Sequence, residues 1–316
     1  MAMPIALFRR DDFREIVILA AEHKGIPNPE IVEKDYFVTE ALREISQKHG
    51  HHTIFKGGTS LSKGWGLIDR FSEDVDLYVQ PGATKNATGK LLKQIAADVS
   101  EHEAFDEPVR EASIDNVARS TFHTYTSKFP SVGPIKPRVL LEIGIQSGTY
   151  PTVEQPIQSI LAAVLMERGI KDLGADCESF PMQLLHYKRT AMEKMFALHH
   201  KVQDKGGEIG TYARHYYDIY QLLQQYDVQE MLRNQEFIEI CQDYRALTKE
   251  YFPNQVLPEH MNLGHSPALY PSNDLAKILK VAYEAQCRAL CYGPFPGFTD
   301  VLTEFEAIRE SFVNVP

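Results

Sequence analysis

Phe71-Ser72-Glu73-Asp74-Val75-Asp76-Leu77-Tyr78-Val79 alternates polar and apolar side chains from residue 74 onward. A strand has a side-chain period of two, so Asp74 and Asp76 project from one face and Val75, Leu77 and Val79 from the other. The apolar set can enter a core. The two carboxylates repel each other unless a cation lies between them, and aspartate is a poor strand former. A divalent cation is the simplest reason to tolerate both costs, and Mg²⁺ (or Mn²⁺) takes one or two carboxylates together with phosphate oxygens. An Asp-x-Asp by itself reads more readily as the wet face of an antiparallel sheet, so its neighbours decide.

Two neighbours favour the metal. In Val139-Leu140-Leu141-Glu142-Ile143-Gly144-Ile145, Val139, Leu141, Ile143 and Ile145 share one strand face and Glu142 takes the other. Glu142 is the candidate third carboxylate of a two-metal site and a candidate activator of an acceptor hydroxyl. Upstream, Ile54-Phe55-Lys56-Gly57-Gly58-Thr59-Ser60-Leu61-Ser62-Lys63 reads as a strand over 53–56, a glycine turn, and a helix over 61–67. Gly57 and Gly58 permit positive φ and close approach of a ligand. Thr59 or Ser60 can cap the helix. Free N–H groups and the dipole at that end favour a phosphate, and Lys63 lies one turn in. Gly57, Gly58, Thr59, Ser60 and Lys63 are therefore the expected triphosphate ligands. The Walker A spacing is absent.

The blocks Phe55-Lys56-Gly57-Gly58-Thr59-Ser60-Leu61-Ser62-Lys63 and Arg70-Phe71-Ser72-Glu73-Asp74-Val75-Asp76-Leu77 together resemble the signature of AbiEii/AbiGii-type toxins. These belong to the nucleotidyltransferase superfamily shared with polymerase-β-like enzymes. Lys194-Met195-Phe196-Ala197-Leu198-His199-His200-Lys201 is similar to a family helix that ends in Arg, so Lys201 departs from the pattern. Arg214-His215-Tyr216-Tyr217-Asp218-Ile219 is similar to a later basic-acidic helix, with His215 where an acid often stands. The resemblance runs from about residue 33 to residue 223. It implies a catalytic role for Lys194 and nucleotide contacts for Lys201, Arg214 and Asp218. It also implies an RNA acceptor such as the tRNA 3′ end, a cognate antitoxin protein, and a type IV-like toxin–antitoxin or phage-defence setting.

The chain has 316 residues, 43% hydrophobic and 24% charged, with a formal net charge of −10. This is an ordinary globular composition. A nucleic-acid partner must meet a local basic patch, because the global field repels a polyanion. The segment 186–215 supplies one in sequence terms: Lys188, Arg189, Lys194, Lys201, Lys205 and Arg214 outnumber Glu193, Asp204 and Glu208. Cys177, Cys241, Cys287 and Cys291 form no Cys-x-x-Cys pair and read as free, buried thiols. His199 and His200 read as surface residues, and Tyr216 and Tyr217 as core. No leader and no membrane span are expected, which points to the cytoplasm.

Helices are expected over 13–24, from residue 29, over 91–101, 157–167, 181–202, 211–226, 228–250 and 274–290, and strands over 73–79, 122–128 and 138–146. The expected fold class is α+β, a nucleotidyltransferase-fold mixed-sheet core with a C-terminal helical bundle and a cleft between them. The boundary is placed near Asp172, dividing 1–171 from 172–316. The expected function is metal-dependent transfer of NMP from a nucleoside triphosphate to RNA, as a toxin. The alternatives are a catalytically silent nucleotide-binding or interaction module and a housekeeping RNA-terminal nucleotidyltransferase. Ser72, two residues before Asp74, is expected at the rim of the site, where a phosphate would disturb metal or triphosphate binding.

Overall fold

A computed structural model describes residues 5–114, 117–130, 135–170, 173–254 and 262–313. The chain forms two compact units. The first comprises Met1–Gly66, Phe71–Gln146 and Thr152–Leu184, the second Leu67–Arg70, Ser147–Pro151 and Leu185–Pro316.

The first unit contains helices α1 (Phe13–Lys24), α2 (Pro29–His49), α3 (Gly57–Lys63), α4 (Lys85–Glu101) and α5 (Ile160–Glu167). Its strands are β1 (Thr53–Lys56), β2 (Asp74–Val79), β3 (Asp106–Ile114), β4 (Ala118–Thr124), β5 (Arg138–Gly144), β6 (Thr152–Ile157) and β7 (Phe180–Leu185). They make a mixed sheet in the order β3-β4-β5-β2-β1-β7-β6. β2 runs antiparallel to β1 and parallel to β5, and β4 antiparallel to β5. Period-two alternation sets the faces. Val75, Leu77, Val79, Val139, Leu141 and Ile143 are buried, and α2 and α4 pack on that side. The acids of β2 and β5 take the other side.

Several elements differ from the reading of the sequence, among them β4, which lies over Ala118–Thr124 rather than 122–128. Residues 181–202 are not one helix: β7 precedes a helix, and the His186 side chain caps the junction by accepting from Lys188 N–H. In β7, Phe180, Met182 and Leu184 are buried while Pro181 is exposed and Gln183 half-buried, but so short an alternation running straight into an apolar helix is not separated from it by period. Strands β3 and β6 were likewise not anticipated; Pro156 is confined to edge strand β6, where a missing N–H is tolerated. Finally, α3 begins at Gly57 rather than at residue 61. Gly57 at φ 76° turns the chain straight from β1 into the helix.

The second unit is helical among its described residues: α6 (Tyr187–Lys205), α7 (Arg214–Leu223), α8 (Tyr226–Met231), α9 (Gln235–Tyr251), α10 (Asn273–Leu290) and α11 (Phe298–Val313). Tyr216 on α7 is fully buried, and its ring meets those of Tyr283, Phe298 and Phe305. α11 had no counterpart in the sequence reading. No helix of the described residues is long and apolar enough to cross a membrane.

Candidate active site

The register of the first unit builds one polar row across four strands. Lys56 on β1 is the Cα partner of Asp76 on β2, Asp76 of Glu142 on β5, and Glu142 of Ser120 on β4. Directly paired residues project on the same face. Asp74 lies two residues along β2 on that face, opposite Leu140. The three acids named from the sequence are thus gathered on adjacent parallel strands.

Their charges interact. Burial, then Asp76, then Asp74 raise the Glu142 carboxyl to about 7; Lys56 acts in the opposite sense. Among the described residues no three His, Cys, Asp or Glu side chains already close into a cation cage. The donor set nonetheless suits Mg²⁺, which is held by one or two carboxylates and completes its shell with phosphate and water. A carboxyl whose ionisation is opposed by two neighbouring acids is a group that a divalent cation would relieve.

That opposition has a measurable consequence. An acid whose folded pKa exceeds its ordinary value of 4.5 binds its proton more tightly in the fold, so stability falls as pH rises from there through about 7. With chelator present, the wild type should lose stability between about pH 5 and about pH 8, and Glu142→Gln should lose less. Thermal unfolding across that range checks it. Parallel curves for the two proteins would remove the interaction.

The glycine turn is packed against the same row. A Cβ on Gly57 would stand 2.1 Å from Asp76 Oδ2, so the carboxylate rests directly on the glycine Cα. Gly66 has a similar φ of 63° but open space around it. Gly57→Ala should therefore combine backbone strain of about 1–3 kcal/mol with displacement of Asp76, and cost about 100-fold in activity. Gly66→Ala should show the strain alone. Comparing thermal midpoints and transfer rates of the two separates the effects.

Other expected phosphate ligands are engaged elsewhere. Thr59 is buried, and its hydroxyl donates to the Asp74 carbonyl at 2.6 Å and lies 2.9 Å from Ser72 Oγ. Ser60 is buried and donates to the Gly57 carbonyl at 3.0 Å. Neither side chain caps α3. A phosphate at residues 57–60 would meet backbone N–H groups of the first turn, which have no intrahelical acceptor. The Lys63 amine is buried against Asp35 at 2.5 Å, with Thr39 Oγ1 at 2.7 Å; it is tied to α2. Ser72 lies before β2 begins, so strand alternation does not govern it.

Two cations were missed. Lys56 is one; its strand neighbours Thr53 and Phe55 are buried, which in retrospect marks Lys56 for the opposite face. Lys34 is the other. It is buried on α2, pairs with Glu73, donates to the Lys136 carbonyl at 3.2 Å and lies over the Phe71 ring. Burial pushes its amine down, and Glu73 and then Asp74 pull it up. A lysine three residues from Ile31 and seven from Ala41, on the apolar stripe, was the available signal.

The second unit holds a different cluster. Arg70 grips Asp218 with two hydrogen bonds of 2.6 Å, both groups fully buried. Lys194 reaches the same carboxylate at 2.8 Å, and His215 Nδ1 lies 3.7 Å from it. Burial would raise the Asp218 carboxyl, yet Arg70 and then Lys194 hold it well below the usual range. Burial, and then Lys194, push His215 down to about 3. Lys194 and Asp218 are thus brought together, and Asp218 pairs with Arg70. Arg214 is half-buried, and Lys201 sits 5.0 Å from the Tyr212 ring. The basic segment is not a bare cationic wall: Lys188 meets Glu236, Arg189 meets Asp243 and Lys194 meets Asp218, acids that lie outside the segment. His199 is buried beside Ser266 Oγ at 2.9 Å, not on the surface. Cys177, Cys241 and Cys287 are buried and Cys291 half-buried, all free.

A mixed sheet with a glycine-led helix after β1 and acids on β2 and β5 is the arrangement of a nucleotidyltransferase core. The family profile described as "Nucleotidyl transferase AbiEii toxin, Type IV TA system" matches residues 40–304, and the chain belongs to that family of nucleotidyltransferase toxins. The match extends well past residue 223, where the resemblance read from the sequence ended. Among solved structures, JHP933 from Helicobacter pylori is 15% identical, with 83% of this chain and 95% of that chain covered and a TM-score of 0.39. MenT4, the nucleotidyltransferase toxin Rv2826c from Mycobacterium tuberculosis H37Rv, is 13% identical, with 94% and 98% covered and a TM-score of 0.47. No curated protein matches the chain.

Proposed function

We propose that the polar row of the first unit transfers a nucleoside monophosphate from a triphosphate to RNA, with the tRNA 3′ end as acceptor. The observation that carries this reading is the placement of Asp76 between Lys56 and Glu142, with its carboxylate against Gly57. Asp74 and Asp76 would hold Mg²⁺ or Mn²⁺, with Glu142 completing the set. Such an ion supplies charge neutralisation at the reacting phosphate and a lowered pKa for a bound hydroxyl.

The chain's own residues do the rest. The first-turn N–H groups at residues 57–60 orient the triphosphate. Lys56, beside Asp76, offsets charge that develops on it. Glu142, ionised once an ion relieves its opposition by Asp76 and Asp74, is placed to take the acceptor hydroxyl's proton. The acceptor oxygen then bonds to the α-phosphorus, the bond to the β-phosphate oxygen breaks, and pyrophosphate leaves. In the second unit, Lys194 positions Asp218 together with Arg70.

As a toxin of a two-gene or phage-defence system, the protein acts until a cognate antitoxin restrains it. The test is incubation with each labelled triphosphate, Mg²⁺ and total cellular RNA. Label in one RNA species, lost with chelator and in Asp76→Asn, is the expected result; no label from any triphosphate would overturn the proposal. Expression should arrest growth, and Asp74→Asn at matched expression should not. Equal arrest by both would point to a silent binding module.

A further inference from the structure

The acid-bearing face continues past Glu142. In the neighbouring row Asp74 is the Cα partner of Leu140, and Leu140 of Phe122 on β4. Both apolar side chains are half-buried, although they project on the polar face. The core does not require them there, since Val139, Leu141, Thr121 and His123 fill the opposite side. The Arg138 guanidinium lies 3.9 Å from the Phe122 ring centroid. Arg138 is exposed, as is Lys136 two residues before it. In a chain of net charge −10, exposed cations at the end of an apolar strip are what a polyanion can approach.

The row also has a direction. Gly57 and Lys56 lie on the β1 side of Asp76, and Phe122 on the β4 side of Glu142's strand. A triphosphate seated on the glycine side leaves the β5–β4 side for the acceptor. Unpaired bases stack on aromatic rings and on guanidinium planes, and arginine donates to phosphate.

We infer that Phe122, Leu140 and Arg138 form the acceptor seat, where an unpaired base at the 3′ end of single-stranded RNA stacks on the Phe122–Arg138 plate. This rests on RNA being the acceptor. Phe122 and Arg138 are positioning residues, and the strip would hold the terminal hydroxyl toward Glu142.

The test uses a short RNA ending in 2-aminopurine, whose fluorescence is quenched on stacking. The wild type should quench it. Phe122→Ala should weaken RNA binding about tenfold or more and lose the quench, while Phe122→Trp keeps both. Arg138→Ala should weaken binding and flatten its salt dependence, and Arg138→Lys should restore the salt dependence without the quench. Triphosphate affinity should stay within about twofold in each. Phe122→Leu, which preserves strand packing, guards against misfolding and should behave as Phe122→Ala. In transfer assays the KM for RNA should rise by more than kcat falls. If Phe122→Ala and Phe122→Leu bind and quench like the wild type, or lose triphosphate and RNA equally, the seat is overturned. Phe122-dependent quenching without RNA labelling by the wild type would keep the seat and remove the reaction. RNA labelling by the wild type that Phe122→Ala matches would keep the reaction and remove the seat.

Discussion

Asp76→Asn is expected to abolish nucleotidyl transfer while leaving the chelated protein at least as stable as the wild type. Burial and then Asp76 raise the Glu142 carboxyl, so the carboxylates side by side on β2 and β5 oppose each other's ionisation. Asparagine removes one charge, keeps the shape, and offers an amide that can hydrogen-bond Glu142 in either of its protonation states. Stability measured without metal at about pH 8 should hold or rise. The two proteins should part when Mg²⁺ and triphosphate are added. A ligand at about 100 times its Kd stabilises by about 2.7 kcal/mol, and this increment should be missing from Asp76→Asn and Asp74→Asn alike. Calorimetry with and without ligand, beside a labelling assay, reads both effects. Wild-type activity in both variants would eliminate the row as the catalytic site, and a large loss of stability in the chelated variants would mean that these acids serve the fold.

Asp218→Ala should be the most damaging substitution for stability, at about 3–5 kcal/mol. It leaves Arg70 buried without its bidentate partner and Lys194 without its nearest acid. Arg70→Ala should cost somewhat less, because Lys194 still neutralises Asp218. Lys194→Met should cost least, since Arg70 keeps the carboxylate and a thioether fills the space of the alkyl stem. The order matters more than the sizes, because it follows from how many charges each change strands. Urea titration of the three variants gives it directly. A cost below about 1 kcal/mol for Asp218→Ala would show that the network is hydrated rather than dry.

Much of the first unit was readable because its information is local. Alternation in residues 74–79 and 139–143 states which side chains share a face, and period two leaves no second solution. Gly57-Gly58 after a short strand announced a sharp entry into a helix, although its start was misplaced by four residues. There, the helix boundary is set by Gly57's backbone and by burial of Thr59 and Ser60, not by a side-chain cap. The helical second unit was legible in outline, but residues 181–185 were not. A six-residue alternation running directly into the apolar pattern of α6 does not mark a strand by period, and pairing of Leu184 with Phe55 resolves the choice.

By itself, then, the sequence determined the class of fold, the acids of the candidate site and the family. Those depend on residue type at short spacing. Only the tertiary structure decided that Asp76 stands opposite Glu142, that Lys56 joins the row, and that Phe122 continues the face beside Asp74. Strand pairing across tens of residues is set by packing of whole elements, and local period carries no record of it. The same holds for charge. Lys63 read as a candidate phosphate ligand and Lys194 as a candidate catalytic residue from their motifs, but burial obliges each to find an acid, Asp35 for one and Asp218 for the other. A cation's partner is a property of the folded interior, where an unpaired charge is too costly to keep.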